Sequence, residues 1–241
     1  MHALSTLCRT SVVLVTSAMA LVGCSSIDVK ATGEPYEVVH SLAANHTVGI
    51  QGSGELRIQN GSLNQLRVLA QGEVHDHLTI EQTDGTLTIG QKPGLGVKTS
   101  EKIQYLLITD GLAAINLNGA FSLTATRYHT EQLAISADGD TTLDIQIETQ
   151  QLRLTASGAF EGYLAGTAER FSLAASGAAE VQALDLQAKF VTVDLSGASE
   201  VLVAASDTLQ VNTSGASEVG YQGQPKITGA ASGASQIFRI D

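Results

Sequence analysis

Four carboxylates recur at one place in a repeated turn. Glu161, Glu180, Glu200 and Glu218 each stand three residues past a glycine, in SGAFE, SGAAE, SGASE and SGASE, and Gln236 takes the same place in SGASQ. Carboxylates can act as general acids and bases, or as hard oxygen ligands for a cation. Recurrence in every repeat counts against a unique catalytic pair. If successive repeats stack about 4.8 Å apart, each neighbouring pair repels by about 1 kcal/mol in bulk water and by more at lower effective dielectric. The ladder must therefore face solvent or hold cations. A solvated stripe is the plainer reading. Weak Ca²⁺ binding along Glu161, Glu180, Glu200 and Glu218 is the sharper one, although one carboxylate per repeat makes a thin shell.

His75-Asp76-His77 is the only local cluster of metal-type ligands. On an alternating strand both histidines share one face, opposite Val74, Asp76 and Leu78, and His75 and His77 could pinch a metal. No third ligand is evident, and structural metal sites usually close with four. Exposed strand histidines are the default. Gly94-Leu95-Gly96-Val97-Lys98-Thr99 hints at a phosphate loop but departs from G-x-x-x-x-G-K-[ST], because Val97 separates glycine from lysine. The serines include no G-x-S-x-G elbow, and Ser199, Ser217 and Ser235 recur at one turn position as spacer residues do. Without Trp there is no obvious platform for stacking sugars. No catalytic residue is assigned, and no cofactor is implied beyond the Ca²⁺ alternative.

The elements that position these residues follow from the turn glycines. Gly119, Gly139, Gly158, Gly177, Gly197, Gly215 and Gly233 recur at nearly even intervals. Six before each stand Ala113, Leu133, Leu152, Phe171, Val191, Leu209 and Ile227. The positions four before, two before and four after are also largely apolar, among them Ile115, Leu195 and Val201. A spacing of two on either side of a turn points one face of each strand inward. Each repeat reads as strand, tight turn, strand and a looser return, a unit that buries its apolar face only against its neighbours. The predicted fold is all-β, a single-stranded β-helix (β-solenoid) with coils of about 18–20 residues and a right-handed sense. Residues 113–241 form its regular part. Residues 36–112 keep the strand signal without the period and are read as its first, irregular coils, with Asp84-Gly85 as a hairpin turn and 93–102 as the longest loop. Pro225, Lys226 and Arg239 break the apolar pattern and read as a C-terminal cap. Open ends of such a stack also make homo-oligomerisation an option.

The N-terminus reads as an address. Arg9 precedes the apolar run SVVLVTSAMALVG, and Leu21-Val22-Gly23-Cys24 resembles the bacterial lipobox. In that reading residues 1–23 are a signal peptide, Cys24 is the lipidation site, and 24–35 are a polar tether to a domain beginning near Tyr36. Ser25 and Ser26, with no Asp beside the cysteine, favour the outer membrane of a bacterial envelope, the chain facing the periplasm or the surface. Cys8 leaves with the signal, so the mature domain has no disulfide. Without Arg9, 12 basic residues face 24 acidic ones, a formal charge of −12, which argues against nucleic acid as a partner.

VGIQGSGELRIQ, LTIEQTDGTLTIGQK, IQYLLITDGLAAINLNGA and the serial SGAAEV and SGASEV turns together resemble the putative auto-transporter adhesin, head GIN domain family over nearly all of 36–241. The resemblance implies a β-helical domain in a cell-surface or periplasmic setting and carries over no catalytic residue. The leading expectation is a lipid-anchored, non-catalytic binding or adhesin-like module whose partner is a protein or a glycan. The alternatives are a glycan-acting β-helix enzyme and a passive envelope-maintenance lipoprotein.

Overall fold

A computed structural model describes residues 27–31, 33–92, 95–99 and 101–240. In chain order the elements are β1 Ile27–Lys30, β2 Pro35–Ser41, β3 Thr47–Gln59, β4 Gln65–Gln71, α1 Gly72–His77, β5 Leu78–Thr83 and β6 Thr86–Gln91. They continue with β7 Leu95–Lys98, β8 Gln104–Ile108, β9 Ala114–His129, β10 Gln132–Gln222, β11 Lys226–Ala231 and β12 Gln236–Arg239. The described residues are all-β apart from one short helix.

β10 runs for 91 residues. Straight, it would span roughly 300 Å, so it must fold back at regular places. The glycines are those places. Gly119, Gly139, Gly158, Gly177, Gly197, Gly215 and Gly233 all have positive φ, and a Cβ added to any of them would collide with the carbonyl oxygen of the turn glycine one repeat earlier, starting from Gly52. Each pass of the chain therefore lies on the one before with turn over turn. The strand registers agree: Gly139 pairs with Gly119, Leu143 with Leu123, Leu209 with Ile227 and Val219 with Ile237, all in parallel.

Inside the passes, the apolar positions expected from the period are buried, as at Leu133, Ile135, Leu152, Leu173, Val193 and Val211. Two further inward columns complete the core. Phe121, Thr141, Phe160, Ala179, Ser199 and Ser217 stand two after the glycines, and Ala125, Ile145, Leu164, Ala183 and Val203 six after. The alternation thus runs straight through the turn, and the turn residues themselves form part of the wall.

The N-terminal part is built differently. β3 pairs with β9 with Gly52 opposite Gly119, so VGIQGSGELRIQ is a full pass of the same pattern. Beneath it β6 and β8 run parallel to its two halves. Then the order reverses, since β4 is antiparallel to β8, β2 to β4 and β5 to β6. The expected hairpin turn is present, with Asp84 and Gly85 both at positive φ, the conformation a two-residue hairpin requires.

Two of the segments that differ from the sequence reading pair with each other. Residues 27–30, assigned to a tether, form β1, paired in parallel with β7, which lies in the segment assigned to a loop. The buried Gln71 amide ties both neighbourhoods together: Nε2 donates to the Gly33 carbonyl at 3.0 Å, and Oε1 accepts from the Thr99 hydroxyl at 2.7 Å. Short polar stretches carry no periodic signal, so pairing of this kind is set by tertiary contacts.

Candidate binding surfaces

The glycine column divides the outer surface into two grooves. On the far side of the turn lies an open groove of about 610 Å³. Its lining includes Asp140, Glu161, Glu180, Glu200 and Glu218, so the predicted ladder is brought together on one exposed face. The column is longer than the repeat alone indicated. Glu55 pairs with Ser122, and Ser122 with Thr142, placing Glu55 at the head of the line that ends in Gln236 opposite Glu218. Glu55 is found only once Gly52 is recognised as a turn glycine, because the intervening strands of the N-terminal part separate it from Gly119. Lys102 Nζ stands 3.1 Å from its carboxylate.

Inside the ladder, the Tyr163 hydroxyl donates to Glu161 at 2.8 Å, and Gln182 Nε2 to Glu180 at 3.5 Å. The bond to Glu161 is the chief cause that raises the Tyr163 phenol above its usual range, with the carboxylate charges adding to it. Among the described residues no three His, Cys, Asp or Glu side chains are gathered closely enough to hold one metal ion.

On the near side of the turn a second groove, of about 580 Å³, is edged by Ser157, Ser176, Ser196, Ser214 and Ser232. The hydroxyls of Ser157, Ser214 and Ser232 serve a carboxylate or the backbone of the preceding pass. Ser157 donates to Asp138 Oδ1 at 2.8 Å and Ser232 to the Thr213 carbonyl at 3.1 Å. In the SGAS turns the second serine points inward: Ser199 and Ser217 are buried, and Ser217 reaches the Gly197 carbonyl one pass back at 3.5 Å. Ser235 makes the same contact with Gly215 on the last pass. These are wall residues, in keeping with the spacer reading. A third groove, of about 730 Å³, has a floor that includes Ala168, Ala188 and Ala205, with Glu169 and Lys189 in its lining.

His75 and His77 do not form the pair that a strand would give. Residues 72–77 are a helical turn, and positions two apart on a helix point in nearly opposite directions. His75 Nε2 donates to the Tyr36 carbonyl at 3.0 Å and its ring lies 4.6 Å from that of Tyr36, while His77 Nδ1 donates to the Glu73 carbonyl at 2.6 Å. The His75 ring secures the helix to β2, and the His77 ring closes back on the helix itself. Cys24 and Gly94 lie outside the described residues.

The arrangement defines a class: an all-β protein of stacked parallel passes whose polar residues stand in exposed ladders along shallow grooves. Within that class the chain belongs to the family described as "putative auto-transporter adhesin, head GIN domain", whose model matches residues 19–225. Solved structures share the fold. A putative adhesin from Bacteroides fragilis superposes with a TM-score of 0.83 at 18% identity, covering 88% of this chain and 100% of that one. A putative adhesin from Parabacteroides distasonis gives 0.69 at 18% identity, with 89% and 100% covered. A protein called a putative lipid binding protein, from the same species, gives 0.67 at 19% identity with the same coverage. No curated protein matches the chain. No helix of the described residues is long and apolar enough to cross a membrane.

Proposed function

We propose that this chain is a lipid-anchored, non-catalytic binding module of the bacterial cell envelope, anchored in the outer membrane through Cys24 and built as a single-stranded β-helix with one turn glycine per coil. The observation that carries the binding reading is the run of exposed polar ladders on both sides of the glycine column, which offers one repeated surface along the stack. A repeated surface suits an extended or multivalent partner, protein or glycan, because each pass adds similar contacts. Family membership supports the adhesin-like role, and the lipobox-like Leu21-Val22-Gly23-Cys24 supports the anchor.

The test has two arms. Metabolic labelling with a radioactive fatty acid should mark the wild-type chain in the outer-membrane fraction and leave Cys24→Ala unlabelled. Beads coated with residues 25–241 should adhere to immobilised envelope or host-surface glycans and proteins, and a variant with Glu161, Glu180, Glu200 and Glu218 all changed to Gln should adhere with altered strength. Absence of label removes the anchor. Absence of adhesion across protein and glycan panels removes the binding role and leaves the passive lipoprotein.

A further inference from the structure

The two ends of the stack are finished differently. At the N-terminal end the antiparallel strands β4, β2 and β5 terminate the parallel order. At the C-terminal end, among the described residues, β11 and β12 pair only with β10. Every residue of β11 is exposed. Ile227 is 43% exposed, whereas Phe171, Val191 and Leu209 in the same inward column are 1%, 2% and 0% exposed. Phe238 on β12 is 41% exposed. The C-terminal residues expected to act as a cap therefore leave an edge.

The backbone shows which groups are free. In a parallel ladder alternate residues direct their N–H and C=O to opposite neighbours. Ser232 N donates to the Thr213 carbonyl and Ile240 N to the Tyr221 carbonyl, so the even-numbered residues of this pass bond inward to β10. Ile227, Gly229 and Ala231 on β11, with Ile237 and Arg239 on β12, turn their N–H and C=O groups outward. Such a row of groups is a template for one more strand.

Charge selects among occupants. From Val219 to Asp241 the chain carries two basic residues, Lys226 and Arg239, against one acidic residue, Asp241, although the whole chain has a net charge of −11. The ladder itself ends in neutral Gln236. A second copy docking end to end would bring two basic edges together, and at the N-terminal end the outermost strands β2 and β5 run antiparallel to their neighbours, so no edge there continues the parallel order.

We propose that the open edge of β11 and β12 is a strand-acceptor site, and that its occupant is an extended, net-acidic segment of a partner protein, added in parallel as the next pass. Main-chain bonds supply the affinity in this mode, and side chains at every second position supply selectivity. The occupant needs an apolar residue over Ile227, and an acid over Gln236 meets no like charge. The proposal rests on the binding-module reading and names its partner.

The probe is a fluorescein-labelled peptide of residues 207–222, DTLQVNTSGASEVGYQ. It has the pattern of the pass that β11 and β12 already accept and carries Asp207 and Glu218 with no basic residue. Anisotropy titration with residues 25–241 should show saturable binding that weakens as salt rises. Ala231→Pro removes one outward N–H and no ladder bond, a substitution that edge strands tolerate. It should weaken binding at least tenfold, and Arg239→Glu several-fold at low salt. Hydrogen exchange of the wild-type protein gives a readout free of variants: the amides of Ile227, Gly229 and Ala231 should slow at least tenfold with peptide bound. Binding unchanged in Ala231→Pro together with unprotected edge amides overturns the proposal, and so does no binding at all. Self-association of the wild type that Ala231→Pro abolishes also overturns it, assigning the edge to a second copy. Adhesion of coated beads without peptide binding overturns only the strand-acceptor site and leaves the binding module standing.

Discussion

Gly52 and Gly119 stack in the same way as Gly119 and Gly139, yet the chain between the first pair is several times longer than between the second. The irregular N-terminal part and the regular repeats therefore obey one rule for the pass and different rules for the return. A pass needs a turn glycine and inward residues at alternate positions on either side; Val48, Ile50, Leu56 and Ile58 meet that need around Gly52 as Ile135, Ala137, Leu143 and Ile145 do around Gly139. The return varies in length and content. Between β3 and β9 it holds antiparallel strands that end the parallel order, whereas between passes of β10 it is short and adds residues such as Ile147, Leu186 and Ala188 to the core.

The comparison breaks most visibly at its glycines. A Cβ at Gly177 would stand 2.5 Å from the Gly158 carbonyl oxygen, on a residue whose φ of +111° disfavours any side chain, while one at Gly49 would meet nothing within 4 Å. Gly177→Ala is expected to cost about 2–5 kcal/mol, from backbone strain and the forced separation of two passes. Gly49→Ala should stay within about 1 kcal/mol and can be stabilising, because alanine restricts the unfolded chain. Urea denaturation midpoints measure both. Equal losses would mean that the glycine column does not hold the passes in contact.

The regular part was legible from sequence because its signal is repeated. Seven glycines with apolar residues at fixed offsets identify the inward columns, and the strand pairs Leu209 with Ile227 and Leu143 with Leu123 fall on the register that those offsets give. The column two past the glycine was not visible, because Thr141, Ala179, Ser199 and Ser217 lack an apolar signature and are inward only by the geometry of the turn. The N-terminal part revealed its local turn, Asp84-Gly85, and hid what depends on distant partners. Gly72–His77 has the alternation of a strand and becomes a helical turn held by Tyr36. β1 finds its partner only in β7, with five other strands between them in the chain. Of the candidate site, Glu161 to Glu218 were legible because they share a repeat position, and Glu55 was not, because its repeat is interrupted.

Leu112 lies where the two regimes meet, and its fully buried backbone is served from the regular side. Its N–H donates to the Tyr128 hydroxyl at 3.2 Å, and its carbonyl accepts from the Thr130 hydroxyl at 3.1 Å. Burial holds the Tyr128 phenol above its usual range, the bond from Leu112 works the other way, and the nearby Asp110 charge adds to the rise. Tyr128→Phe preserves the ring and strands the N–H, for an expected loss of about 1–3 kcal/mol. Hydrogen exchange should show the Leu112 amide opening well before those of β10. A loss spread evenly over both parts would instead place Tyr128 in a single cooperative core.

A smaller effect separates two members of the acidic column. Glu180 has Glu161 and Glu200 on the adjoining passes, while Glu55 has Lys102 within 3.1 Å. Glu180→Gln should raise Tm by about 1 °C at low salt, with the gain gone at about 0.5 M NaCl, as screened repulsion between exposed charges requires. Glu55→Gln should leave Tm unchanged or lower it slightly, since a surface ion pair is worth about 0–1 kcal/mol. A Ca²⁺-dependent rise in the wild-type Tm that Glu180→Gln abolishes would turn the stripe into a cation site.

The smallest expected effect concerns the N-terminal end alone. His40 on β2 has its pKa held below the usual histidine value, first by burial and then by the like charge of His75. In the unfolded chain it titrates near about 6.5, so between that value and its lowered native value the unfolded state binds more protons. Stability from this group is complete above about pH 6.5 and falls as the pH drops toward the native pKa. The regular passes hold no comparable group, because His129 is their one histidine and it stands exposed, 3.3 Å from Glu148. Acidification from about pH 7.5 to about 5.5 should therefore speed hydrogen exchange in β2 and β4 while leaving the centre of β10 unchanged, and His40→Asn should flatten that dependence. If β10 responds as strongly as β2, the N-terminal strands are not a separate unit, and the two ends of the stack share one folding equilibrium.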